Sequence, residues 1–176
     1  MAHSIEILLD SDTESAVREQ WARLESAGLP SAGRVRAGTN RPHCTIVAGS
    51  AIASAADAAL AATAGRLPFS LRISGAVVFP AGRRFTLARA VVPSSELLST
   101  HAALIRLVGD QVTDRAAHCL PGQWTPHVTL GRRLTATELA AALDLLTWET
   151  LVGRATDLRR WDGDTKTDVV VAGRDR

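Results

Sequence analysis

The chain has 176 residues, enough to bury one sizeable core, and its 46% hydrophobic and 22% charged residues exclude a disordered tail. A net charge of +2 is too small to mark a nucleic-acid binder by itself, and two cysteines make no disulfide framework. No apolar run approaches the roughly 20 residues that span a bilayer, and the first residues lack a secretion signal, so a cytoplasmic protein without membrane association is expected.

Ile5 to Leu9 reads as a short strand. Ser11 and Glu14 have capping-box spacing, and Val17, Trp21 and Leu24 then share a helical face that Gly28-Leu29-Pro30 terminates. Residues 31–41, with Gly33, Gly38, Asn40 and several Arg, read as a loop. Pro42 to Gly49 alternates like a strand, and Ser54 and Asp57 open an Ala-rich helix that closes at Gly65. Phe69 to Phe79 and Phe85 to Val92 are strand-like runs around a Pro80-Ala81-Gly82 turn. Ser94 to Glu96 start a helix whose Leu97, His101, Leu104 and Val108 form one stripe, backed by Leu98 and Ile105. After a loop at 119–124, Thr125 to Gly131 reads as a strand. Thr135 and Glu138 make another capping box before Leu139, Ala142, Leu143 and Leu146, and strand-like segments near 150–161 and 168–172 follow.

Strand, helix, Pro-His-x-Thr strand, capped helix and strand thus occur twice, over about residues 5–79 and 84–172. The expected product is a single bilobal domain over 1–176, α+β in class. Two antiparallel sheets would face a central cleft, with the helices packed outside.

The informative residues are His43-Cys44-Thr45 and His127-Val128-Thr129. On a strand, residues i and i+2 share a face, so each His projects with its Thr while Cys44 and Val128 point into apolar packing. Pro42 and Pro126 sit where Pro is tolerated, at the start of a strand. Two imidazoles can divide the work of accepting and donating a proton. Two hydroxyls can donate hydrogen bonds to the non-bridging oxygens of a phosphodiester, at roughly 1.5–3 kcal/mol each. This toolkit suits in-line opening or forming of a phosphodiester without a metal or cofactor.

The motif pair, in this order of elements, resembles the 2H phosphoesterases, which include bacterial 2′-5′ RNA ligase-like proteins and cyclic phosphodiesterases. The resemblance covers essentially the whole chain. It implies that His43 and His127 are the acid and base, with the first His as donor and the second as acceptor, and that Thr45 and Thr129 bind the phosphate. Pro126-His-Val-Thr-Leu-Gly-Arg132 looks like the ligase-like branch, and so implies Arg132 as a further phosphate or nucleotide contact. The expected ligand is a small nucleotide or RNA end carrying a 2′,3′-cyclic phosphate or a 2′-5′ link. Hydrolysis of a cyclic phosphate, 2′-5′ ligation or cleavage, and binding without turnover all remain open on these residues. The first motif departs from that branch in lacking an aromatic residue, and the chain has no Tyr.

Trp124, three residues before His127, would either stack on a nucleobase or pack under the 120–122 loop. Arg41, with Arg34 and Arg36, stands in the loop before His43 and would guide a phosphorylated ligand. Trp21 and His101 read as core, while Glu6 is left undecided. No His or Cys spacing suits zinc, so no metal site and a monomer are expected.

Overall fold

The first strand, β1 (His3–Leu9), is buried along its whole length because it is paired on both edges and covered on both faces. Its neighbours are β2 (His43–Gly49) and β8 (Leu151–Asp162), both antiparallel. Ile5, Ile7 and Leu9 join the apolar core, whereas Ser4 and Glu6, on the alternate face, line a large cavity. The computed structural model describes residues 3–173; the ends of the expected domain, 1–2 and 174–176, lie outside the described residues.

The other elements are α1 (Ser11–Ser26), the short β3 (Ala51–Ile52), α2 (Ala56–Ala64), β4 (Phe69–Ala81), β5 (Arg84–Val91), α3 (Ser95–Val108), the short β6 (Val112–Thr113), β7 (His127–Leu134), α4 (Ala136–Leu145) and β9 (Thr167–Ala172). The α+β class expected from the sequence is the one observed. One half of the large sheet is β2-β1-β8-β9 and the other is β7-β5-β4, all antiparallel. The halves join twice into one seven-stranded sheet: at the single pair Cys44–Val128 between β2 and β7, and where residues 151–155 of β8 pair with 69–73 of β4. β3 and β6 form a separate two-stranded sheet.

Registers in the two halves correspond. Glu6 pairs with Thr45 and Ile7 with Cys44, while Ala88 pairs with Thr129 and Arg89 with Val128. The strand that follows the second helix of each sequence stretch crosses over: β4 pairs with β5, and β8 with β1.

Local chemistry explains most of the element ends. Thr135 and Glu138 form the expected capping box, and Ser94 caps α3 by accepting from Leu97 N. Two caps differ from expectation. Asp10, not Ser11, caps α1, because its carboxylate accepts from both Thr13 N and Thr13 Oγ1 and also from Arg154 N. α2 starts without a side-chain cap because its N-cap position falls on Ala55; Asp57, in its first turn, is bound through both oxygens by Arg160 of β8. The α3 stripe is buried as expected, but Leu98 is 48% exposed and stands outside it.

Gly131 lets β7 pass beneath the end of the α1 loop. A Cβ there would lie 2.4 Å from Pro30 O and 3.3 Å from Leu134 Cδ1. Because the first obstacle is backbone, Gly131→Ala is expected to lower stability by about 1–3 kcal/mol in urea unfolding. An unchanged midpoint would show that the loop yields freely.

Candidate active site

Each Pro-His-x-Thr segment places its His and Thr on the cavity side of the sheet and buries the residue between them. Cys44 and Val128 are fully buried, and burial pushes the Cys44 thiol up to about 12, so it packs as an apolar group. His43, Thr45, His127 and Thr129 all line one cavity of about 960 Å³ between the halves of the sheet.

The two imidazoles are held in the same way. His43 Nδ1 lies 2.6 Å from Arg41 O, and His127 Nδ1 lies 2.7 Å from Thr125 O, in each case the carbonyl two residues back. A carbonyl only accepts, so each Nδ1 carries a proton and each Nε2 is left for chemistry. The two Thr backbones are held by a crossed pair of indoles: Trp21 Nε1 donates to Thr129 O and Trp124 Nε1 donates to Thr45 O, both at 2.9 Å. Neither Thr hydroxyl has a hydrogen-bond partner among the described residues.

The electrostatics of the two His differ. Burial pushes His127 below the ordinary imidazole value, and although the bond to Thr125 O opposes this, the positive charges of Arg132, His43 and His118 push it further down. The Phe79 ring tilts against the His127 ring, with centroids 4.6 Å apart. On the other side, His43 Nε2 lies 3.3 Å from Glu6 Oε1. Glu6 is 3% exposed and accepts from Ser4 Oγ and, at 2.6 Å, from Arg159 Nε. Burial alone would raise Glu6, but the His43 and Arg159 charges and these hydrogen bonds outweigh it and hold the carboxyl below its usual range.

The expected binding residues fall in three different places. Arg132 is exposed on the cavity wall and makes no ion pair among the described residues. Trp124 also lines the cavity, but one face of its indole is stacked on His101, 4.1 Å away and 3° from parallel. His101 is the core residue expected; its Nε2 bonds Cys119 O, and burial holds it below the ordinary imidazole value. Arg41 turns its guanidinium away to Glu14, at 3.0 and 2.6 Å, and lines a separate cavity of about 530 Å³. What Arg41 gives the site is its carbonyl.

Three features escape the sequence reading. Glu6 and Arg159 are far apart in the chain and show no motif. Trp161 lines the cavity and donates to Thr39 Oγ1. His3 stands between Asp162 and Asp164, at 3.6 and 3.2 Å, a potential ligand set that spacing cannot reveal.

Residues 13–167 match the family described as the 2′-5′ RNA ligase superfamily. Among solved structures, the chain is similar to E. coli LigT complexed with 3′-AMP, at 19% identity and a TM-score of 0.56, over 98% of this chain and 94% of that one. It is also similar to TT0787 of Thermus thermophilus, at 16% identity and a TM-score of 0.53, over 98% and 94%. A structure described as a phosphoesterase aligns at 17% identity and a TM-score of 0.52, over 98% and 95%. At these identities the likeness is one of fold. No curated protein matches the chain.

Trp124→Phe keeps an aromatic ring, smaller than the indole, and removes the N–H that meets Thr45 O. Urea unfolding should show a loss of about 1 kcal/mol. An unaltered stability would mean that this bond does not hold the Thr45 backbone.

Proposed function

The chain belongs to the 2′-5′ RNA ligase superfamily, and from that membership we propose that it is a metal-independent phosphodiesterase hydrolysing 2′,3′-cyclic phosphates of nucleotides or RNA ends. The observation that carries this is the shared cavity with two matched His-Thr pairs, their Nδ1 atoms tied back and their hydroxyls without a partner among the described residues. Support for a nucleotide ligand comes from E. coli LigT, crystallised with 3′-AMP, NADP+ and ATP.

In hydrolysis, His127 Nε2 takes a proton from water as the water oxygen attacks phosphorus. The bond from phosphorus to one ribose oxygen breaks, and that oxygen takes the Nε2 proton of His43. The Thr45 and Thr129 hydroxyls and Arg132 hold the phosphoryl oxygens as charge builds on them. Trp124, with one face covered by His101, can offer at most its other face to a base. The cavity wall has few unpaired cations, which favours a small ligand or a chain end over a long RNA track.

A second reading, cleavage or formation of a 2′-5′ linkage by the same groups, is favoured by one observation. Trp161, paired with Ser4 on β1, and Phe79, paired with Thr86 on β5, hold corresponding places in the two halves and both line the cavity. Each offers an aromatic wall, one for a nucleoside on each side of the phosphorus.

The test is turnover of the four nucleoside 2′,3′-cyclic phosphates in EDTA. His43→Ala and His127→Ala are each expected to reduce kcat by roughly 10²–10⁴-fold, and the double variant by little more. Loss of wild-type activity on chelation would overturn the metal-free mechanism and direct attention to His3, Asp162 and Asp164. Tight binding without turnover over a wide pH range would replace the enzyme by a binding module.

The pH profile has a definite sign. A general base works unprotonated, and His127 is held below 6.5, so kcat/KM should persist below pH 6.5 and fall as pH drops through the lowered value. An acid limb above pH 6.5 would exclude His127 as the base.

A further inference from the structure

The two halves of the site match in backbone register and differ in charge. The rung through Thr45 carries Glu6 on β1 and Arg159 on β8, whereas the corresponding rung through Thr129 carries Ala88 on β5 and Val77 on β4. A buried ion pair in one half thus stands where the other half has two apolar side chains.

The pair is tied in on every side. Arg159 is 2% exposed; its Nε donates to Glu6 Oε2, and its Nη1 donates to Thr39 O at 2.7 Å and to Asp168 Oδ2 of β9 at 3.2 Å. Ser4 Oγ donates to the other Glu6 oxygen, Oε1, which also faces His43 Nε2 at 3.3 Å. His43 therefore has a hydrogen-bond acceptor, Arg41 O, at Nδ1 and a carboxylate within ion-pairing distance of Nε2, an arrangement that favours the ring with both nitrogens protonated. The Arg159 Nη2 contact to Nδ1, at 3.4 Å, is the longer and weaker one, and it is not a hydrogen bond in that state. His127 has no carboxylate within ion-pairing distance among the described residues; Arg132, His118 and His43 bear on it instead.

We propose that Glu6, held by Arg159 and Ser4, is a positioning residue that keeps the Nε2 proton on His43 and so sets the direction in which protons cross the cleft. The assignment rests on the phosphodiesterase function above. Once His43 has given its proton to the leaving ribose oxygen, its bare Nε2 stands 3.3 Å from the Glu6 carboxylate. Recapture of a proton from water is then favoured, and the donor form is restored before the next cycle. Arg159 makes this possible by keeping the buried Glu6 ionised.

The experiment compares wild type, Glu6→Gln and Glu6→Asp on a 2′,3′-cyclic nucleotide and on bis(4-nitrophenyl) phosphate, whose nitrophenolate leaves without a proton. On the cyclic nucleotide, Glu6→Gln should lower kcat by about tenfold or more with KM little changed, and move the alkaline limb to lower pH by about one unit. The nitrophenyl ester should lose less than about threefold, because no acid is needed. Glu6→Asp, which keeps the charge, should restore the position of the alkaline limb. An unmoved limb, or equal losses on both substrates, would overturn the proposal while leaving the two-His mechanism standing. A wild type inactive on both substrates would instead overturn the function on which it rests.

Glu6→Gln leaves Arg159 buried without its main partner and can fail to fold. The wild-type protein then supplies the answer through ¹⁵N NMR of its imidazoles between pH 5 and 9. His43 should keep its Nε2 proton to higher pH than His127. The reverse order, or equal titration, would overturn the proposal.

Discussion

The site depends on one contact between strands, the pair of Cys44 and Val128 at which β2 and β7 meet. Both residues are small enough, and apolar enough, to be buried completely where the two halves of the sheet close on each other. Because side chains alternate along a strand, burying the middle residue of each His-x-Thr turns both flanking residues the other way, into the cavity. The pairing extends no further. The carbonyls of Thr45 and Thr129 are met by indole N–H groups of Trp124 and Trp21, which hold the strands without filling the space above them. A chemical site is thus built by packing a Cys and a Val.

Symmetry explains what the halves share, and its failure explains how their roles divide. Tying each Nδ1 to the carbonyl two residues back is a local device that any Pro-His-x-Thr strand of this shape can repeat. The Glu6–Arg159 rung is different, because a buried ion pair is weak evidence for stability: the desolvation penalty runs to several kcal/mol per ion, and only good geometry and further hydrogen bonds offset it. Here the offset comes from Ser4, Thr39, Asp168 and His43 around the pair. Ala88 and Val77 hold the corresponding backbone positions without any such network. Arg89 is a further buried cation with a plainer role: its guanidinium bonds the carbonyls of Ile73, Thr147 and Glu149 and lies 5.3 Å from the Trp148 ring. It fastens the connection between α4 and β8 to β4, away from the cleft-facing His and Thr.

Much of the fold was legible because its signals are local. The Thr135–Glu138 capping box, the Gly65 stop and the stripe through Leu97, His101, Leu104 and Val108 lie within a few residues of one another, and the structure contains each of them. Readings failed where a distant residue competed for a local partner. Asp57 does stand in the first turn of α2, but Arg160 takes both its oxygens, and Arg41, read as a ligand contact, has its guanidinium held by Glu14. The α1 cap moved by one residue because Asp10 also ties down Arg154 N of β8. In each case the decisive partner lies on an element far away in the chain.

Residue order alone is enough for the α+β class and for the two His-Thr pairs, since residue type and a spacing of two put each pair on one strand face. Those are properties of a few consecutive residues, and chain order preserves them. It took the folded chain to bring both pairs to one cavity, to set Trp161 in its wall, and to stand Glu6 and Arg159 beside one imidazole and not the other. The crossover that sends β8 back to β1 brings residues 6 and 159 onto one rung. Nothing in the spacing of the chain encodes that neighbourhood; it exists because antiparallel pairing sets side chains from distant segments directly opposite each other.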